Sequence, residues 1–187
     1  MSVNTVHLGP GQTLPLQHGE DVLTPGHTAE IELKIPATIA GPKRSERAKG
    51  MIWVTDHRVI FVSDTIDTPS TSASAAAAPS EPPSYDAPPV LRSLEIPYTS
   101  LNLATYNLPT FSANHLILLF VPDPSSSAIN AASALPDPGR GQNLELKVWV
   151  GEGAGHAVWK RIEGERSRVA ERAARGVDEE LPAYAPA

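Results

Sequence analysis

Hydrophobic and polar positions alternate along several short stretches of this chain. Residues 27–35, HTAEIELKI, put Ala29, Ile31, Leu33 and Ile35 at every second position with polar partners between them. That two-residue period predicts a half-buried strand. It recurs in 143–150, NLELKVWV, where Leu144, Leu146, Val148 and Val150 face one way and Glu145, Lys147 and Trp149 the other. Two β-rich runs, 51–54 and 59–62, flank Thr55-Asp56-His57-Arg58 and predict a hairpin. Strand character resumes in 91–98, LRSLEIPY, and in 101–107, LNLATYN. Residues 114–121, NHLILLFV, are almost continuously apolar, as for a strand buried on both faces. After GEGAG (151–155) the period changes. Val158, Ile162, Val169 and Ala173 form the apolar stripe of a helix from about residue 154 to about 175. No helical pattern lies between strands. The fold class is therefore mainly β (α+β): about seven mostly antiparallel strands in a bent sheet or partly open barrel, closed by one C-terminal helix.

The segments between these elements have a different composition. Residues 1–18 are rich in Gly, Pro and Gln and are expected to be disordered. Residues 36–49 read as a long basic loop with Lys43, Arg44, Arg47 and Lys49. Two low-complexity insertions, 64–90 and 122–142, and a flexible tail, 176–187, complete the division around one domain at 19–175. Short Ser, Ala and Pro side chains cannot offset the entropy of ordering such segments.

Composition excludes several functions. With no cysteine, disulfides, thiol catalysis and Cys-ligated zinc are ruled out. The net charge of −6 argues against a general nucleic-acid binder, whose phosphate contacts need clustered cations. No stretch approaches the roughly 20 apolar residues of a membrane span, and the N-terminus lacks the pattern of a signal peptide. A soluble cytoplasmic or nuclear protein is expected. The GEGAG turn follows a strand and opens a helix, but a dinucleotide fingerprint would need glycine where His156 stands. The six histidines are scattered without ligand spacing, and His57 beside Asp56 reads as turn chemistry. No nucleophile or carboxylate-pair motif is present. The sequence predicts no enzyme, no cofactor and no metal site.

Binding motifs remain. Pro82-Pro83-Ser84-Tyr85 sits in the first insertion. Two prolines set a polyproline II conformation in advance, and the tyrosine projects to a second pocket. This is the P-P-x-Y ligand pattern of WW domains, one recurring mode of peptide recognition. Leu181-Pro182-Ala183-Tyr184, behind Asp178-Glu179-Glu180, is an L-P-x-Y variant of it. Two sites could engage tandem WW domains with a gain in avidity. The C-terminal helix adds six cations, Lys160, Arg161, Arg166, Arg168, Arg172 and Arg175, against Glu163, Glu165 and Glu171. Such a pattern is most often a solvated helix surface.

Several blocks in order also resemble a known family. KGMIWVTDHRVIFVS (49–63) resembles the signature hairpin of GRAM domains. The match is closest to the WW-domain-binding protein 2 family. GEDVLTPGHTAEIELKI, the LEIPY…NHLI stretch with Phe111, Ala113 and Asn114, and 143–173 correspond as well. The resemblance covers about 19–63 and 91–173. It implies a pleckstrin-homology-like fold of two near-orthogonal sheets closed by a helix. It also implies an adaptor for WW-domain proteins, such as HECT-type ubiquitin ligases or transcriptional regulators, or a transcriptional coactivator. The family usually carries P-P-x-Y in a tail after the domain, whereas here it lies within the domain. Pleckstrin-homology-like folds often bind phosphoinositides through the loop between their first two strands. That analogy points to Lys43, Arg44, Arg47 and Lys49, joined by Arg58 across the hairpin, as a site for an anionic membrane lipid.

Overall fold

A computed structural model describes residues 2–37, 43–64, 91–122, 135 and 142–178. In chain order these form β1 (Ser2–Val3), β2 (His27–Ile35), β3 (Arg44–Val54), β4 (Arg58–Ser63), β5 (Ser93–Pro97), β6 (Leu101–Asn107), β7 (His115–Phe120), β8 (Leu144–Val150) and α1 (Gly155–Asp178). Every ladder is antiparallel, and hydrogen bonding runs unbroken in the order β1-β5-β4-β3-β2-β8-β7-β6. The two sheets implied by the resemblance are thus joined in one ladder.

That sheet has to curl. β5 and β6 stand six places apart in it, about 29 Å if it were flat at ~4.8 Å per strand. Yet a 3-10 turn, Tyr98–Ser100, is all that connects them. Four residue steps from Pro97 to Leu101 reach at most about 14 Å. The ends of the sheet therefore bend toward each other into a half-barrel, and the concave side becomes the core. Ile31, Leu33, Val54, Phe61, Leu94, Ile96, Leu116, Leu118, Phe120, Leu144, Leu146 and Val148 are all buried there.

α1 plugs the open side, packing on β6, on the Tyr98–Ser100 turn, on β3 and on β7. Val158 and Ile162 are fully buried, and Val169 packs against the core. Trp159 Nε1 donates to the Ala104 carbonyl at 3.1 Å, and its ring stacks on Tyr106 with centroids 6.3 Å apart. The turn into α1 uses left-handed backbone at Glu152 (φ 58°) and Gly153 (φ 70°). The second of these is glycine's ordinary province. The GEGAG glycines thus serve a tight strand-to-helix turn.

Four expectations are corrected. Residues 44–49 belong to β3, because Ala48 and Glu46 face inward opposite Ile31 and Leu33 while Arg47 and Lys49 face Glu32 and Glu30. Opposite charges directly across an antiparallel pair stabilise it by roughly 0.2–1 kcal/mol each, a signal that an apolar-alternation search misses. The N-terminal segment enters the fold: Val3 and Val6 are buried, and β1 extends the sheet beside β5. Asn4 Oδ1 accepts from the Arg92 and Ser93 amides at 2.6 and 3.2 Å, standing in for a backbone carbonyl. β7 is fully buried on one face only; His115, Ile117 and Leu119 on the other are half-buried, because α1 covers just the concave side. Ala173 is exposed, and Glu165 takes the inward position between Ile162 and Val169.

Candidate functional site

The basic hairpin is built by an imbalance of strand lengths. β4 pairs with β3 only from Gly50 to Val54. Beyond Gly50, β3 continues to Arg44 with β2 as its partner among the described residues. Lys43, immediately before β3, is exposed. Arg44 Nε stands 3.0 Å from Glu46 Oε1, Arg47 Nη2 stands 3.1 Å from Glu32 Oε1, and Lys49 Nζ stands 3.7 Å from Glu30 Oε2. The exposed pairs of Arg47 and Lys49 contribute at most about 1 kcal/mol each, whereas Arg44 is the partner of a buried carboxylate oxygen. Arg47 and Lys49 can therefore turn toward a stronger anion at little expense. The cations do not converge on one point. Arg47 and Lys49 share the convex face, while Arg44, at an even position of the strand, lies on the other.

Two carboxylates tune this end. The Ser45 hydroxyl donates to Glu32 Oε1 at 2.9 Å. That bond outweighs partial burial and, with Arg47, holds the Glu32 carboxyl below its ordinary range. Glu46 goes the other way. Burial pushes its carboxyl up, and Arg44 opposes this only in part. Its buried Oε1 has the Arg44 ion pair but no aligned hydrogen bond. Beside the hairpin, Thr28, Glu30, Lys49, Gly50, Asp64, Trp149 and Gly151 border a shallow depression of about 360 Å³.

Arg58 does not belong to this site. It is 6% exposed and fixed inside the β3–β4 turn region. Its Nε and Nη2 donate to Glu20 Oε1 and Oε2 at 2.8 and 2.7 Å, and Nη1 pairs with Glu95 Oε1 at 2.8 Å. The Pro15 carbonyl accepts a further bond from Nη2 at 3.0 Å. Placing it with the lipid-facing cations is therefore corrected: it is a buried structural cation held by two carboxylates and a backbone carbonyl. Glu20, 4% exposed, also accepts from Thr55 Oγ1 at 2.7 Å and from the Gln17 amide at 2.7 Å. Burial alone would raise its carboxyl; Arg58, Gln17 and Thr55 together hold it below the usual range. Tyr98 closes the cluster, its hydroxyl donating to the Thr55 carbonyl at 2.9 Å. Burial, reinforced by the Glu165 charge, pushes the Tyr98 phenol far up, so it stays a donor. Glu20 carried no signal in the sequence, since an isolated acid in a Gly- and Gln-rich stretch looks solvated.

Pro82, Pro83, Tyr85, Leu181, Pro182 and Tyr184 lie outside the described residues. The flanks of the first insertion are placed. The Ser63 amide donates to the Arg92 carbonyl at 2.7 Å, and the Asp64 amide to the Lys49 carbonyl at 2.9 Å. The first insertion therefore joins two neighbouring strands, and Asp64, the last described residue on its N-terminal side, lies beside Lys49.

Among the described residues, no group of three His, Asp or Glu side chains could hold a metal ion, and no helix is long and apolar enough to cross a membrane. The curled antiparallel sheet closed by a C-terminal helix is a pleckstrin-homology-like fold. Among solved structures, the chain is similar to a Vps36 N-terminal PH domain, with a TM-score of 0.51 and 16% identity over 89% of this chain and 93% of that one. At that identity the likeness is one of fold. No protein-family model and no curated protein matches the chain.

Proposed function

We propose that the chain is a non-enzymatic, pleckstrin-homology-like interaction module whose β2–β3 hairpin binds phosphoinositide headgroups at a membrane surface. The observation that carries the reading is the exposed set Lys43, Arg44, Arg47 and Lys49, on a hairpin that outreaches β4, with Arg47 and Lys49 held only by weak surface pairs. Phosphate oxygens would take over from Glu32 and Glu30 as acceptors for Arg47 and Lys49. The test is co-sedimentation with vesicles containing phosphatidylinositol phosphates. Each cation near an anionic surface is worth about 1 kcal/mol. Replacing Lys43, Arg44 and Arg47 together by Ala should therefore weaken binding roughly a hundredfold. Failure of the wild type to sediment at low salt would reject the reading.

A second reading is an adaptor for WW-domain proteins, in the manner of GRAM-containing WW-binding proteins. Specific support comes from the tyrosines. Of four in the chain, Tyr98 is buried and Tyr106 packs on the core beside Trp159, whereas Tyr85 and Tyr184 end the two proline motifs. On this reading the partners are HECT-type ubiquitin ligases or transcriptional regulators, met in the cytoplasm or nucleus, and a coactivator role follows from the latter. A pull-down with an isolated WW domain should retain the wild type and lose the Tyr85→Ala, Tyr184→Ala double variant. Phosphorylating either tyrosine should abolish that site, since a dianion does not suit an apolar pocket. Equal retention of wild type and double variant would sink the adaptor reading while leaving the lipid reading intact.

A further inference from the structure

We infer that the exposed arginine stripe of α1 is a docking groove for an acidic peptide from a partner protein. At about 100° per residue, Arg161, Arg168, Arg172 and Arg175 fall within roughly 60° of arc. This stripe lies on the side of α1 away from β6. The β6 side is occupied by Trp159, bonded to the Ala104 carbonyl, and by Arg166, bonded to the Asn102 carbonyl at 3.4 Å. Arg166 is also neutralised by Glu163 through its Nε at 2.9 Å. The stripe is not neutralised in the same way. Arg168 pairs with Glu165 at 2.6 Å, while Lys160, Arg161, Arg172 and Arg175 make no ion pair among the described residues. A chain with net charge −6 thus concentrates uncompensated positive charge along one line.

The surface there is also hollowed. Ala157, Lys160, Arg161, Gly164, Glu165 and Arg168 line a depression of about 370 Å³. A second, of about 140 Å³, continues it past Glu171, Arg172 and Arg175. Gly164 forms the floor of the first. A Cβ at that position would meet nothing within 4 Å, so packing does not demand the glycine. A mid-helix glycine weakens a helix relative to alanine. It does lower the groove floor between flanking cations.

The occupant follows from shape and charge. Arg161 to Arg175 spans about 21 Å of helix axis, the length of six or seven residues of extended peptide. The stripe has no large apolar side chain to enter a bilayer, and a flat membrane would leave the two depressions unfilled. Carboxylates spaced along an extended chain fit the cations at Arg161, Arg168 and Arg172.

The test uses the full chain and a fluorescein-labelled octapeptide of alternating glutamate and serine, read by fluorescence anisotropy at ~0.1 M salt, where exposed charges are screened beyond about 10 Å. Saturable binding is expected. Arg161→Gln with Arg172→Gln, which touches no ion pair and keeps good helix formers, should weaken it at least about tenfold, since each charge-assisted bond is stronger than a neutral one. Gly164→Leu, filling the groove without altering charge, should also weaken it, with an unchanged circular-dichroism spectrum. Lys43→Glu with Arg47→Glu, on the hairpin, should leave it within about twofold, because rim charges distant from a site act weakly across salt. No saturable binding, equal binding by the double glutamine variant, or an equal loss in the hairpin variant would each overturn the proposal. So would binding of phosphatidylserine vesicles through this stripe with no peptide binding.

Discussion

Replacing Arg58 by alanine is expected to destabilise the domain by about 3–5 kcal/mol, because it strands two carboxylates in a place built for a cation. Glu20 is 4% exposed and receives two of its four hydrogen bonds from the guanidinium. Glu95 would lose its ion pair as well. A loss of that size is a large fraction of the 5–15 kcal/mol typical of a folded domain. The measurement is urea denaturation of Arg58→Ala beside Arg58→Lys, which keeps the charge but cannot reproduce the two-pronged contact with Glu20. Lysine should fall between wild type and alanine. A change under about 1 kcal/mol would mean that water replaces the guanidinium at once, and the cluster would not be the internal brace described here. The same cluster sets an acid limit. Glu20 has a folded-state pKa below its unfolded value, so its contribution is fully present above the unfolded value. That contribution disappears as pH falls through the folded-state value. Stability should therefore drop in the acid range, and Glu20→Gln should flatten the drop.

Gly50→Ala is the second large effect, and its cause is steric. A Cβ at Gly50 would stand 2.0 Å from the Val62 carbonyl oxygen and 2.7 Å from the Ser63 Cα. Both obstacles are backbone, so no rotamer change relieves them; β3 and β4 must separate where they cross. Overpacking of this kind costs up to about 3 kcal/mol, which in a domain of this size lowers the melting temperature by roughly 6–12 °C. Thermal denaturation followed by circular dichroism checks it. Ala at Gly164, where nothing lies within 4 Å of the new methyl, is the matched control and should raise the melting temperature instead. A tolerated Gly50→Ala would show that the two strands are not in the contact described.

The elements visible in the sequence were those whose environment is uniform along their length. β2 and β8 alternate because the core takes every second residue, and the helix stripe through Val158 and Ile162 reflects one continuous contact. The β3–β4 turn was legible because Thr55-Asp56-His57-Arg58 interrupts two apolar runs. The failures share a different cause. The charged half of β3 is stabilised by partners on another strand, which no local window contains. β1 is two residues long and is held by one asparagine side chain and two valines. Arg58 looked like a surface cation because its acids lie 38 positions before it and 37 after it. Of the candidate site, the cations of the first hairpin were legible as charge, but their division between two faces emerges only with the register.

The sheet order has a consequence for how the chain leaves the ribosome. β2 is flanked in the finished sheet by β3, made next, and by β8, the last strand in chain order among the described residues. At about 5–20 residues per second, the stretch between Ile35 and Leu144 takes on the order of ten seconds to synthesise. Throughout that interval one side of β2 offers bare amides and carbonyls to any passing strand. Glu30, Glu32 and Lys34, spaced along it, discourage such a visitor until β8 arrives to complete the row.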